Sequence, residues 1–324
     1  MAALGWNEHW RALFAPHRAD GQEPGRIIRH DGGAVLTALD GGTRQLQLRR
    51  SLPPLAVGDW VVASGGVAID LLERSSLLQR LDPSTSLSQP IAANVEVVMI
   101  VCALDRPLKP GRIQRLVAQA SDAGARPLLV LTKADAAVDA ALDTATARSF
   151  DPSLDVVTVA ALVGEGVDAL ARHTVDKTLV VVGESGAGKS TLVNALCGRD
   201  VADTGEVRTG DSKGRHTTTA RQMHLLPGGG LLIDTPGVRA VGLWAEADAV
   251  DETFADIAVL ALDCRFRDCD HDKEPGCAVR GAVGRHDLSA QRLESWHRLR
   301  GEAEASAIRA DEHARRGSRR KSAR

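Results

Sequence analysis

The stretch LLVLTKAD, residues 128–135, is an apolar run that ends in a lysine and an aspartate. A buried strand entering a loop reads this way. Roughly 50 residues further on, 183–190 reads GESGAGKS, a glycine loop suited to phosphate. A carboxylate that reads a purine base ordinarily follows such a loop in the chain, and here it precedes it. Either TKAD is chance, or the elements of the domain have been reordered.

The phosphate loop has the context it requires. TLVVV before it reads as a strand and KSTLVNAL after it as a helix. Gly183, Gly186 and Gly188 let the backbone wrap around phosphates, with Glu184, Ser185 and Ala187 contributing N–H groups, and the helix adds its positive N-terminal end. Lys189 is placed to reach the β- and γ-oxygens, Ser190 to bind Mg²⁺ and Thr191 to lie on the phosphates. Downstream, LLIDTPG (231–237) is an apolar strand that delivers Asp234 toward Mg²⁺ and the Gly237 N–H toward the γ-phosphate.

The TKAD end supplies the base site. A carboxylate at Asp135 accepts two hydrogen bonds from the N1–H and 2-amino edge of guanine, a pair that adenine lacks. Thr132 and Ala134 flank the site, and the Lys133 stem lies over the base. The next strand, DVVTVAALVGEG, ends in Ala160 and Ala161, and the Ala161 N–H is expected to meet guanine O6. The order is therefore guanine, guanine, phosphate, switch, switch. A doubly wound sheet tolerates this, because its ligands bind at strand ends and spatial order need not follow chain order. TKAD is not chance, and the domain is circularly permuted.

Around this α/β core the composition changes. Residues 26–80 contain five short stretches of strand character separated by DGG, DGG, a Pro-Pro loop and SGG, which suits a small OB-type barrel. WNEHWRALF near the N-terminus reads as a short helix. After residue 250, acids, cysteines and helical segments dominate. The expected domains are 1–82 (N-terminal segment and barrel), 83–245 (permuted α/β domain) and 246–324 (zinc-binding helical domain with a basic tail). Cys264, Cys269, His271 and Cys277 offer three thiolates and an imidazole, enough for one closed structural zinc site per chain. The polar filling between them disfavours a core or disulfide role.

Net charge is −2 over 324 residues, but six Lys/Arg and no acids fall between His313 and Arg324. That run is expected to be a disordered tail able to touch RNA. No stretch is apolar enough to span a membrane. Without an export signal, the expected setting is the reducing cytoplasm.

The chain resembles the ribosome small-subunit-dependent GTPase A (RsgA) family over nearly its full length. The resemblance is carried by LTKAD, GESGAGKST, TG followed by GRHTTT (204–205, 214–219), GGGLLIDTPGVR (228–239) and CRFRDCDHDKEPGCAV. It implies a GTPase that hydrolyses GTP to GDP and phosphate, binds the small ribosomal subunit and its rRNA, is stimulated by that subunit, and acts late in its maturation. A monomer with no membrane partner is expected. Thr217 or Thr218 is expected to join Ser190 and Asp234 on Mg²⁺. Val238 stands where many GTPases carry a water-orienting glutamine, which leaves His216 as the nearby catalytic candidate beside Lys189. Thr132 in place of asparagine and Ala160 in place of serine depart from the commoner motifs and are expected to weaken nucleotide affinity.

Overall fold

The computed structural model describes residues 1–19, 21–30, 34–81, 88–151, 153–202, 221–235 and 247–322. The expected helix near the N-terminus is α1 (Glu8–Phe14), capped by the Asn7 side chain, which accepts from the Trp10 N–H at 3.2 Å. Its Trp10 and Phe14 are buried with Trp60 and Val62 on the outside of a barrel. That barrel is built from β1 (Gln22–His30), β2 (Ala34–Leu39), β3 (Gly42–Leu48), β4 (Trp60–Ser64) and β5 (Val67–Leu71). The strands close in the order β1-β2-β3-β5-β4-β1, with β3 and β5 parallel and the other pairs antiparallel. Closure removes free edges, and Ile27, Val35, Leu46, Val61 and Ala68 fill the interior.

The α/β part comprises β8 (Val97–Ala103), α2 (Pro110–Asp122), β9 (Arg126–Thr132), α3 (Ala140–Phe150), β10 (Asp155–Thr158), α4 (Val167–Ala171), β11 (Thr178–Gly183), α5 (Lys189–Cys197), β12 (Arg221–Leu225) and β13 (Leu231–Asp234). Its strands lie in the order β10-β9-β8-β11-β13-β12, all parallel except β12. The chain enters at β8 in mid-sheet, runs outward to β10, then crosses back to β11 on the other side of β8. The continuous apolar runs follow from burial on both faces. Val98, Ile100, Leu129, Leu131, Val180 and Val182 pack on one side. Their neighbours Val97, Met99, Leu128, Val130, Leu179 and Val181 pack on the other.

Two features were not anticipated. A hairpin of β6 (Leu77–Leu81) and β7 (Ser88–Ala93) precedes β8, and its Leu78, Ile91 and Ala92 pack into the core under the parallel sheet. In addition, β12 pairs on its outer side with β1 through Arg29↔Gln222 and His30↔Arg221, so barrel and parallel sheet form one 11-stranded sheet. Arg26 reinforces the junction. Only 2% exposed, it donates to Gly58 O (3.3 Å), Asn94 O (3.3 Å), Thr178 Oγ1 (3.0 Å) and Leu4 O, and stacks on Trp60. Burial pushes its pKa down to about 10, against the pull of Glu96 and Asp59.

The C-terminal helices are α6 (Ala247–Thr253), α7 (Ala255–Ala261), α8 (Ala278–Gly284) and α9 (Ala290–Ser322). They bury Val250, Phe254, Ile257, Val279, Trp296 and Leu299 in a core that also takes in Ala118 of α2. Arg292 ties them to the α/β part, bonding Asp256 of α7, Thr253 O and Phe150 O at the end of α3. The expectation of a disordered basic tail is corrected here, since α9 continues to Ser322. Its stretch GEAEASAIRADEHARR is dense in Ala, Glu and Arg, residues of high helix propensity, and helix propagation is cheap once a packed first half has supplied the nucleus.

Candidate nucleotide site and metal centre

The ends of β8, β9, β10, β11 and β13 open on one edge of the sheet, where a doubly wound fold binds ligands. The phosphate loop leaves β11 at Gly183 (φ 152°) and enters α5 through Gly188 (φ 81°). A side chain on Gly183 would drive a Cβ to 2.4 Å from Val101 O, so β8 packs too closely for any other residue there. Glu184 turns away from the loop interior and pairs with Arg112 and Lys109 of the α2 region. Ser185, Gly186 and Ala187 complete the turn, and Ser190 and Thr191 occupy the first turn of α5. The Lys189 ammonium folds back over the loop onto Gly183 O (3.0 Å) and Glu184 O (2.5 Å), a position from which it can exchange these carbonyls for phosphate oxygens.

Asp234 ends β13, opposite Gln222 of β12. Burial pushes its pKa up, with His224, Lys189 and the Thr235 N–H opposing. Burial also lowers Lys189, with Asp234 opposing. A half-buried carboxylate at the sheet edge is a hard oxygen donor of the kind that suits Mg²⁺. Thr235 Oγ1 anchors the strand end on Val181 O at 3.0 Å. His216, Thr217, Thr218, Gly237 and Val238 lie outside the described residues.

TKAD does meet the phosphate loop. Thr132 is 2% exposed, and its hydroxyl lies 2.6 Å from Ala187 O and 3.2 Å from Cys102 O, so the residue that replaces asparagine still joins β9 to the loop. Lys133 takes a left-handed conformation (φ 58°) that turns the chain out of the strand. Its Nζ is 2.6 Å from Asp105 Oδ2. Ala134 donates to Val159 O at 3.2 Å, which ties the TKAD turn to the end of β10, where Ala160 is buried and bonded to Glu165 O at 2.9 Å. Asp135 is exposed in the short 3₁₀ turn Ala134–Ala136, and Ala161 begins the neighbouring loop. Sequence reasoning did not single out Asp105, Arg106, Arg112 or the contacts of Glu184. The available signal was the pair Asp105-Arg106 directly after the apolar run VVMIVCAL, at the sheet edge where ligands gather.

The zinc residues converge. The ligand atoms of Cys264, Cys269, His271 and Cys277 all lie within 4.8 Å of one another. Cys264 Sγ is 3.9 Å from Cys277 Sγ, and His271 Nδ1 is 3.6 Å and 3.5 Å from these two sulfurs. Bonds of about 2.3 Å to sulfur and about 2.0–2.1 Å to nitrogen at tetrahedral angles separate S from S by ~3.8 Å and S from N by ~3.6 Å. The donors therefore fit a closed tetrahedral site. Burial raises the Cys264 thiol, but hydrogen bonds from the N–H groups of Val279 and Ala278 at the start of α8 and from the Cys269 and Cys277 thiols together bring its pKa below the ordinary thiol value. His271 sits at φ 59°, an uncommon conformation for an L-residue, and its ring packs on Trp296 with centroids 5.2 Å apart. The zinc loop is thereby fixed to α9.

A model of the family described as RsgA GTPase matches residues 71–244. The chain is 41% identical over 331 residues to the small ribosomal subunit biogenesis GTPase RsgA of Streptomyces coelicolor, covering 97% of this chain and 90% of that protein. To the protein of the same name from Xylella fastidiosa strain M23 it is 41% identical over 328 residues, covering 95% and 98%. Among solved structures, YjeQ from Thermotoga maritima superposes with a TM-score of 0.66 at 24% identity, covering 87% of this chain and 98% of that one. YloQ, described as a circularly permuted GTPase, does so with a TM-score of 0.63 at 24% identity, covering 89% and 97%.

Proposed function

The chain belongs to the RsgA GTPase family, and from that premise we propose that it hydrolyses GTP to GDP and phosphate on the small ribosomal subunit during the late maturation of that subunit. The single observation that carries the reading is the contact of the two nucleotide loops, Thr132 Oγ1 to Ala187 O at 2.6 Å. It joins a guanine-type carboxylate loop to a phosphate loop at one sheet edge.

Within that reading, Asp135 accepts from the guanine edge, the Lys133 stem covers the base and the Ala161 N–H meets O6. The N–H groups of residues 183–188 surround the phosphates, Lys189 reaches the β- and γ-oxygens, Thr191 lies alongside, and Gly237 donates its N–H to the γ-phosphate. Ser190, Asp234 and one of Thr217 and Thr218 would hold Mg²⁺, which would supply charge neutralisation at the transferred phosphoryl group. His216 takes the place of a water-orienting glutamine, since Val238 has no group to do so. The units 1–82, 83–245 and 246–324 divide the work. The barrel, the zinc-bearing helices and the six cations of 313–324 dock on rRNA, and the central unit turns over nucleotide. The protein works as a cytoplasmic monomer; among the described residues no helix is long and apolar enough to cross a membrane.

GTP turnover with purified small subunits, large subunits and neither tests this. Small subunits are expected to raise turnover at least about tenfold, ~1.4 kcal/mol of barrier, and His216→Ala to lose most of that gain while still binding GTP. Equal rates in all three conditions would sink the proposal. Full stimulation of the mutant would remove His216 alone.

A further inference from the structure

Asp105 lies just past the end of β8, where no sequence motif claims it. Its carboxylate receives Lys133 Nζ at 2.6 Å and the Arg106 guanidinium at 2.7 Å and 3.2 Å. The two segments are held in register: Leu104 N–H donates to Thr132 O at 2.9 Å, and the left-handed turn at Lys133 fixes where its stem begins. Both cations border the phosphate loop. A Cβ built on Gly186 would lie 3.7 Å from Arg106 Nη2, and one built on Gly188 would lie 4.0 Å from Lys133 Cε. The hydrogen bonds from Arg106 and then Lys133 hold the Asp105 carboxyl well below the usual carboxylate range.

We propose that Asp105 is a positioning residue for nucleotide binding: its carboxylate clasps Lys133 and Arg106 together at the rim of the phosphate loop, so that the Lys133 stem is set against the base before a guanosine nucleotide arrives. This rests on the assignment of TKAD to the base. An exposed ion pair contributes little to global stability, and the value of the clasp lies in geometry. A free Lys133 side chain must lose rotamer entropy to cover the base, and the clasp has already restricted it. Without the carboxylate, two adjacent cations also repel. Simple electrostatics predicts the opposite sign, because removing a negative charge beside an incoming anion should tighten binding.

The test is equilibrium binding of GDP and a non-hydrolysable GTP analogue to the full chain, with steady-state kinetics alongside. Asp105→Asn is expected to raise both dissociation constants and KM by about tenfold, with kcat at saturation unchanged within about twofold, the signature of lost uniform binding. Asp105→Glu should recover part of the loss. In a double-mutant cycle, Asp105→Asn should add less than about twofold to Lys133→Met, since the two residues act as one unit. Unchanged or tighter binding by a folded Asp105→Asn, while Lys133→Met binds weakly, overturns the clasp alone. Additive losses in the cycle overturn it too. If Lys133→Met binds both nucleotides like the parent, the base-site assignment fails and the clasp falls with it.

Discussion

Replacing Thr132 by valine removes one hydroxyl and keeps the β-branched shape that suits a strand end. Thr132 is 2% exposed, and its hydroxyl has one proton, directed to Ala187 O at 2.6 Å in preference to Cys102 O at 3.2 Å. Losing it leaves the Ala187 carbonyl, in the middle of the phosphate loop, without this donor. Leaving such a buried acceptor unpaired costs about 1–3 kcal/mol. Part of that cost falls on overall stability. The rest falls on binding, because a loop released from β9 must be re-formed around the phosphates. At about 1.4 kcal/mol on binding, the dissociation constant rises about tenfold. GDP and GTP should weaken alike, since the braced loop holds the phosphates common to both. Titration of a fluorescent GDP analogue, with GTP competition and a thermal melt of the nucleotide-free protein, separates the two shares. Thr132→Ser retains the hydroxyl and should stay within about threefold of the parent. If Thr132→Val binds GDP within twofold of the parent, the hydroxyl does not organise the loop and the reasoning is wrong.

Two further outcomes are expected. Metal analysis of the purified protein should find one zinc per chain, lost in Cys277→Ala, with limited proteolysis showing α7–α9 loosened while the α/β sheet stays protected, because Cys264, Cys269 and Cys277 pack with the helical cluster and not with the clusters on the two faces of the sheet; zinc near zero, with all five thiols freely titratable, would refute the site. Asp135→Asn should move preference from GTP toward xanthosine triphosphate, because an amide donates to the 2-oxo group where a carboxylate only accepts; competition among purine triphosphates that leaves GTP selectivity unchanged would remove TKAD from the base site.

Much of this was readable before any coordinates. The phosphate loop and the Cys264–Cys277 cluster are local chemistry: each concentrates its donors within a few residues, so spacing identifies it, whereas TKAD takes its meaning from the phosphate loop and from the strand that follows it. The permuted order was readable as well, because strand ends gather at one edge whatever the order of the strands. The five barrel strands are also marked by the turn residues between them, and the continuous runs at 97–103 and 178–183 by their unbroken apolar character.

Tertiary structure decided what depends on distant partners. The pairing of β1 with β12 is made of backbone hydrogen bonds, which have no side-chain signature, so nothing in RIIRH or RQMHL marks them as neighbours. Arg26 reads as a strand arginine like any other until its partners, 22 to 152 residues away, surround it. By comparison with asparagine, Thr132 reads as a residue that weakens nucleotide affinity, and only its approach to Ala187 across 55 residues of chain shows the bond it makes to the phosphate loop. Composition alone points to disorder at the end of the chain, where α9 continues to Ser322. A charged segment stays helical when its first half is nucleated by packing, here by Trp296 and Leu299 against the zinc domain core, and packing of that kind is a property of the folded chain that local sequence does not encode.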